Sequence, residues 1–245
     1  MIKPIKNSII LDKKYILNVG ITNERKDIIL EYIINKIINT SEKFYIVTPN
    51  PEIITLAQKN HHFMDILNKA QVSLCDGTGL FLASKLLGVL LKERITGIDF
   101  MEDLCKTAAQ NNTSLGFFGG KNGVAAKVAS SLKDKYPGFN AKIITEEWSD
   151  DFNNIAIDIL FVALGFPKQE EWMAANLNKT NAKIMMGVGG AFDYISGNTA
   201  RASKLMRNLG LEWLYRLYRQ PWRFKRQIIG SKFFYLVLKE KLKKH

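Results

Sequence analysis

Short apolar runs alternate with segments of helical periodicity along most of this chain. The clearest run is Ile157–Leu164, which is apolar apart from Asp158, as a strand buried on both faces of a sheet requires. Strands separated by helices need crossover connections, and these favour a mostly parallel sheet. The alternation therefore predicts an α/β fold, with a Rossmann-like, mostly parallel sheet flanked by helices.

The apolar runs and the helical segments give a provisional set of elements. We predict strands at 15–19, 44–47, 72–74, 115–118, 141–144, 157–164 and 182–188. We predict helices at 24–38, 51–70, 79–87, 99–110, 123–136, 167–177 and 205–220. Pro221 lacks the backbone donor that would continue the last of these helices undisturbed, and a second C-terminal segment begins at Trp222.

The basic charge is concentrated at the C-terminal end of the chain. The net charge is +12, and residues 201–245 contribute +11 of it, since they hold 13 Lys and Arg against Glu212 and Glu240. Eight aromatic residues are interleaved with this charge. We therefore predict two domains: an α/β body over residues 1–200, and a basic, aromatic-rich helical appendage over residues 201–245.

The appendage is compatible with three uses. Aromatic rings and basic residues suit an anionic membrane surface, where the rings lie at the level of the headgroups. The same residue types can bind nucleic acid, and the appendage can also be a packed helix with a solvated basic face. The chain contains no apolar run of membrane-spanning length. Cys75 and Cys105 have no CxxC pairing and are expected to be free thiols in a reducing cytoplasm.

Ligands of an open parallel sheet bind beyond the carboxyl ends of the strands, where glycine turns let phosphates approach backbone N–H groups. Five segments lie at the ends of predicted strands: Thr48–Asn50, Asp76–Gly79, Gly119–Gly120, Gly165–Glu170 and Gly187–Phe192. Asp76 can be a general base, a metal ligand or a helix N-cap. Because the chain has neither an Asp-x-Asp pair nor a His/Cys cluster, we predict no metal site.

Six motifs occur in one order along the chain. They are Thr48-Pro49-Asn50, Asp76-Gly77-x-Gly79, Glu93–Asp99, Ala163–Glu170, Gly187–Asp193 and Gly210–Leu217. Together they resemble the WecG/TagA/CpsF family of bacterial glycosyltransferases over roughly residues 15–226. One departure is Arg201-Ala202-Ser203, where the family usually has Arg-Ala-Pro.

The resemblance implies an inverting glycosyltransferase. Because the chain lacks an Asp-x-Asp pair to hold a divalent ion on a nucleotide diphosphate, we expect it to be metal-independent and to need no cofactor. In the TagA branch, N-acetylmannosamine is moved from UDP-N-acetylmannosamine to undecaprenyl-diphosphate-N-acetylglucosamine, in a β-1,4 linkage that starts the wall teichoic acid linkage unit. An alternative remains open: the same fold can transfer another sugar from a UDP donor, such as N-acetylmannosaminuronic acid or glucose. The lipid-linked acceptor would then serve the synthesis of a capsule or common-antigen polysaccharide. A nucleic-acid-binding protein is the alternative from another class. A soluble nucleotide-sugar or dinucleotide enzyme, such as an epimerase, is disfavoured because Val19–Thr22 lacks the GxGxxG spacing.

The resemblance also implies roles for individual residues. It places the base at Asp76, residues near the donor sugar and acceptor at Thr48 and Asn50, a diphosphate-binding residue at Arg216, and a motif glutamine at Gln169. Further substrate contacts are expected from Gly77, Gly79, Gly119, Gly120, Gly165, Lys168, Gly189, Gly190, Arg201, Arg219 and Arg223. The expected partners are a UDP-sugar donor, a polyprenyl-diphosphate-linked acceptor and an anionic membrane surface, with no nucleic acid; a homo-oligomer is compatible. We expect a cytoplasmic protein held peripherally at the inner face of the membrane.

Overall fold

The computed structural model describes residues 10–221 and 224–243. Its strands are β1 (Lys13–Ile16), β2 (Val19–Thr22), β3 (Phe44–Val47), β4 (Val72–Ser73), β5 (Leu115–Gly119), β6 (Ala141–Thr145), β7 (Ile157–Ala163) and β8 (Ala182–Gly187). Its α-helices are α1 (Lys26–Asn39), α2 (Pro51–Ala57), α3 (His61–Lys69), α4 (Thr78–Leu86), α5 (Gly97–Gln110), α6 (Val124–Lys135), α7 (Lys168–Asn176), α8 (Ala191–Ile195), α9 (Lys204–Asn208), α10 (Glu212–Arg219) and α11 (Phe224–Lys243). A short 3₁₀ helix covers Asp150–Asn154.

Six of the strands form one parallel sheet in the order β4-β3-β8-β7-β5-β6. The remaining two, β1 and β2, pair antiparallel as a separate hairpin. The central strand β7 is flanked by β5 and β8, with Phe161 opposite both Phe117 and Met186. The predicted α/β fold with a mostly parallel sheet is thereby confirmed.

The sheet is buried on both faces, because neighbouring residues of its central strand belong to different apolar clusters. Phe161 packs with Phe117 on one face, with ring centroids 5.4 Å apart. Leu160 belongs to the cluster on the other face, together with Phe63 and Phe233. This alternation is what consecutive side chains of a strand produce, and it explains why the run is apolar throughout.

Three predicted elements are each divided in the structure. The predicted strand 15–19 is a hairpin turn, in which Leu17 and Asn18 adopt positive φ values of 47° and 62°. Two-residue hairpin loops require such left-handed residues, and asparagine tolerates this conformation well. The predicted helix 51–70 is two helices, since Asn60 leaves the helical conformation and its side chain accepts a hydrogen bond from the Phe63 N–H at 3.0 Å.

The third divided element lies in the appendage, where the predicted helix 205–220 is two helices, α9 and α10. Gly210 lies between them with a φ of +74° and packs tightly against Thr78 of the body. Ser203, at the departure from the family pattern, caps α9 by accepting a hydrogen bond from the Met206 N–H. α10 ends at Arg219, and Arg223 lies outside the described residues.

The helix α11 packs into the core of the body. Phe233 and Val237 are fully buried within the same apolar cluster as Leu160. The opposite side of α11 leaves large apolar side chains exposed, among them Tyr235 and Leu238. The boundary at residue 200 stays a prediction, but α11 shares a core with the residues before it. No helix in ranges 10–221 and 224–243 is long and apolar enough to cross a membrane.

Candidate active site

A cavity of about 940 Å³ lies at the carboxyl ends of β3, β4, β7 and β8. Its lining includes these sequence-predicted residues: Thr48, Asn50, Asp76, Gly77, Gly79, Gly165, Gln169, Gly189, Gly190 and Arg216. The segment α10 and the helix α11 add Glu212, Trp213 and Phe234 to the wall. The cavity therefore lies where parallel sheets bind ligands, and residues from the predicted appendage complete it.

Asp76 follows β4 and is partly open to this cavity. Its carboxylate accepts a hydrogen bond from the Gly97 N–H. Burial and the nearby negative charge of Glu212 raise the pKa of Asp76 to about 6, although the Gly97 bond and the charges of Arg216 and Arg94 lower it. The residue at the N-cap of α4 is Gly77, so Asp76 is not the helix cap. A carboxylate with this pKa is ionised at neutral pH and is a stronger base than an ordinary aspartate.

Thr48 and Asn50 are both held in position by the turn after β3. Thr48 is buried, and its methyl group packs against Gly97, where a Cβ would come within 3.2 Å of it. The side-chain oxygen of Asn50 caps α2 by accepting from the N–H groups of Glu52 and Ile53, each at 3.0 Å. The cap leaves the Asn50 amide nitrogen as the group that can donate to a ligand.

Gln169 is fixed at both ends of its amide. Its oxygen accepts from the Gly189 N–H at 3.0 Å, and its nitrogen donates to the Glu170 carboxylate at 2.9 Å. Glu170 is fully buried, and burial raises its pKa to about 7, against the lowering effect of the Gln169 bond. Gln169 therefore links the loops after β7 and β8 beneath the cavity.

Arg216 enters the cavity from α10. Its guanidinium stacks on the Tyr194 ring at 4.7 Å from the centroid, an arrangement that fixes a planar cation. It also lies so close to Gly190 that a side chain there would collide with it. Arg216 thus connects the predicted appendage to the loop after β8.

Arg94 lies in the same cavity and was not among the predicted site residues. It donates to the Thr78 hydroxyl at 2.6 Å and to the Arg207 carbonyl at 3.3 Å. Its position in the Glu93–Asp99 motif was the available signal, but nothing in that pattern shows that the arginine faces the site. Glu212 was missed as well, because it lies within a strongly basic segment.

Several predicted site residues do not line the cavity. Gly119 instead lets β5 run close to β7, since a Cβ there would lie 2.9 Å from the Ala163 backbone. Gly120 packs against the Val124 side chain, which a Cβ would approach to 3.2 Å. Lys168 and Arg219 are exposed. Arg201 pairs with Asp99 at 2.6 Å and with Glu212 at 3.5 Å, which holds the start of the appendage on α5. Arg223 lies outside the described residues.

The metal-binding residue types do not cluster in the part of the chain that the structure describes. Within residues 10–221 and 224–243 no group of three or more His, Cys, Asp or Glu side chains could hold an ion. The two arginines are the cationic side chains that line the cavity. The site can therefore offer fixed positive charge to an anionic ligand and a carboxylate to a proton.

The fold and the cavity define a Rossmann-like protein with a half-buried carboxylate and two arginines at the carboxyl edge of its sheet. Comparison with known proteins identifies the family. Residues 14–245 match the glycosyl transferase WecG/TagA/CpsF family, and the chain belongs to that family.

Curated relatives cover most of the chain. One from Bacillus subtilis (strain 168) is 32% identical over 234 residues, which is 93% of this chain and 91% of that protein. One from Staphylococcus aureus (strain MW2) is 33% identical over 211 residues, or 83% of each chain. One from Staphylococcus aureus (strain MRSA252) is 34% identical over 184 residues, or 72% of each. All three are named N-acetylglucosaminyldiphosphoundecaprenol N-acetyl-beta-D-mannosaminyltransferase.

Proposed function

We propose that this protein transfers N-acetylmannosamine from UDP-N-acetylmannosamine to undecaprenyl-diphosphate-N-acetylglucosamine. The product is the β-1,4-linked disaccharide on which a wall teichoic acid linkage unit is built. The observation that carries the proposal is the half-buried Asp76, with a pKa of about 6, in a cavity that also holds Arg94 and Arg216. The names of the relatives supply the sugar and the acceptor.

The proposed reaction is a single displacement that uses Asp76 as the base. The acceptor hydroxyl oxygen bonds to the anomeric carbon of the donor sugar, and its proton passes to the Asp76 carboxylate. The bond between that carbon and the UDP oxygen breaks on the opposite face, so the configuration inverts. A base with a pKa near the working pH suits this proton transfer, which typically contributes about 10²- to 10⁴-fold to the rate.

The departing UDP carries the charge that the site must stabilise. Arg216 is held by Tyr194 and Arg94 by Thr78, so both guanidinium groups are positioned before the substrate binds. Preorganised donors stabilise developing charge without reorganisation, and arginine suits diphosphate oxygens because it donates through two parallel N–H groups. We propose that these arginines take the place of a metal ion and that turnover needs no cofactor.

The proposed membrane association rests on the outer surface of the appendage. Tyr218 is 81% exposed and Tyr235 is 66% exposed, and both lie among basic residues. Aromatic rings at the headgroup level and basic side chains near anionic lipid favour peripheral binding. We propose that the protein acts at the inner face of the cell membrane, where its lipid acceptor lies.

The function is tested by product identification. The purified protein is incubated with a panel of UDP-sugars and a short-chain lipid-diphosphate-N-acetylglucosamine, and the product is analysed by mass spectrometry and by NMR for its linkage. We expect a β-1,4-linked N-acetylmannosamine from the UDP-N-acetylmannosamine reaction. Transfer of a different sugar would redirect the proposal to another polysaccharide, and no transfer from any donor would refute it.

Membrane association is tested by sedimentation with vesicles. We expect binding to vesicles that contain phosphatidylglycerol and weaker binding to vesicles of phosphatidylcholine alone. Tyr218→Ser removes an exposed ring from the appendage, and Tyr15→Ser removes a ring that is 61% exposed on the hairpin. The first variant should bind anionic vesicles more weakly and the second should bind normally, whereas equal behaviour of the two variants would contradict the assignment.

A further inference from the structure

One part of the cavity rim is apolar and open to solvent. Five large apolar side chains line the cavity and remain exposed: Leu82, Leu209, Leu211, Trp213 and Phe234. They come from α4, from α10 with the turn before it, and from α11. An exposed apolar patch that borders a cavity is typical of a binding surface for an apolar ligand group.

The apolar side chains lie one helical turn from the polar groups of the site. On α4, Leu82 is four residues after Thr78, whose hydroxyl accepts from Arg94 at 2.6 Å. On α10, Trp213 is three residues before Arg216. Residues at these spacings are neighbours on a helix surface. Leu82 therefore lies beside the Thr78 hydroxyl that holds Arg94, and Trp213 lies beside Arg216.

The apolar rim continues away from the cavity along two helices. The Phe234 ring lies against the start of α4, where a Cβ at Gly79 would be 3.3 Å from it. Leu86 follows Leu82 by one turn, Leu238 follows Phe234 by one turn, and both are exposed. A ligand that leaves the cavity along either helix meets apolar surface.

We propose that this rim binds the first isoprene units of the acceptor's polyprenyl chain, so that the protein recognises part of the lipid as well as its sugar and diphosphate. The inference rests on the proposed function, because a lipid-linked diphosphate is the substrate with an anionic group directly joined to an apolar chain. The UDP-sugar has no such chain. The rim is thus distinct in chemistry from the donor contacts.

The test compares two soluble acceptors without vesicles. Both are diphosphate esters of N-acetylglucosamine, one with a methyl group and one with a farnesyl chain, each kept below the concentration at which it forms micelles. Leu82→Gln places a polar side chain of similar size at a position that is 54% exposed, so the fold should tolerate it. Leu90→Gln is the matched control, since Leu90 is 74% exposed and does not line the cavity.

The wild-type protein should have a KM for the farnesyl acceptor at least about tenfold below that for the methyl acceptor. Leu82→Gln should reduce the ratio of the methyl-acceptor KM to the farnesyl-acceptor KM about threefold, which corresponds to ~0.65 kcal/mol, because the other four apolar side chains of the rim remain. Leu90→Gln should keep the wild-type ratio.

Three results would overturn the inference. The wild-type protein could have equal KM values for the two acceptors, Leu82→Gln could keep the wild-type ratio of the two KM values, or Leu90→Gln could lower that ratio as much as Leu82→Gln does. In all three the protein still transfers sugar, so the proposed function stands. Absence of transfer to either acceptor would instead refute the proposed function, and the inference with it.

Discussion

Replacing Asp76 by Asn should separate the activity of this protein from its stability. The substitution keeps the size of the side chain but removes the group that accepts the proton. We expect the rate of sugar transfer to fall by about 10²- to 10⁴-fold, the usual contribution of a positioned general base. The same change should make the folded protein more stable at neutral pH.

The stability gain follows from the raised pKa. The pKa of Asp76 is about 6 in the folded protein against an ordinary value of 3.8. Each pKa unit corresponds to about 1.4 kcal/mol, so the ionised carboxylate destabilises the fold by up to about 3 kcal/mol. Because Asp76 keeps some contact with water in the cavity, we expect a measured effect of about 1–3 kcal/mol.

The stability gain of Asp76→Asn should increase with pH. An acid whose pKa is raised by folding destabilises the fold above its folded pKa, and this cost disappears below its unfolded pKa. The free energy of unfolding of Asp76→Asn, minus that of the wild type, should therefore be largest above pH 6 and should decrease towards pH 4. Taking the difference removes the contributions of the other titrating groups, which both proteins share.

The measurement is urea denaturation of both proteins at several pH values from about 4 to 8. Asp65→Asn is the matched control, because Asp65 is exposed on α3 and lies outside the cavity. Asp65→Asn should transfer sugar at the wild-type rate, and it should not show the stability gain over the wild type that is expected of Asp76→Asn. The reasoning would be refuted if the stability gain of Asp76→Asn over the wild type were no larger at pH 7.5 than at pH 4.5.

Three further predictions test the remaining parts of the site. Arg216→Lys should lower kcat by about 10²-fold, since lysine keeps the charge but loses the two-pronged donor and the stacking on Tyr194. The control Arg219→Lys, which changes an arginine outside the cavity, should transfer sugar at the wild-type rate. Equal rates for the two variants would contradict the role of Arg216. Asp99→Asn should loosen residues 201–219, because it removes the negative charge that pairs with Arg201 at 2.6 Å and with Arg207 at 3.7 Å. Limited proteolysis should then cut this segment faster, and the KM for the acceptor should rise. Proteolysis at the wild-type rate would contradict the role of these ion pairs. Transfer should continue in excess EDTA, and inactivation that Mg²⁺ or Mn²⁺ reverses would contradict the metal-independent scheme.

Apolar periodicity predicted the sheet well, because a strand such as Ile157–Ala163 is apolar for a reason that the sequence itself displays, namely burial on both faces. It did not predict the breaks at Asn18, Asn60 and Gly210. Each break depends on one or two residues in a backbone conformation that hydrophobic patterns do not report.

The site was predicted where its residues directly follow strands. Asp76, Thr48 and Gln169 all line the cavity, because the carboxyl ends of parallel strands meet at one edge. Gly119 and Gly120 also lie at the end of a strand, yet they serve packing: Gly119 lies against the Ala163 backbone of β7, and Gly120 lies against the Val124 side chain at the start of α6. Arg94 was missed because its position depends on contacts with Thr78 and Arg207, residues far from it in the sequence.

The most direct test of the proposed chemistry is the pH dependence of kcat/KM for the acceptor, measured with UDP-N-acetylmannosamine as the donor. If Asp76 removes the proton in the environment described, kcat/KM should be constant near neutral pH and fall tenfold per pH unit below an apparent pKa of about 6. A profile that stays flat down to pH 4.5 would contradict the assignment of this half-buried carboxylate as the base.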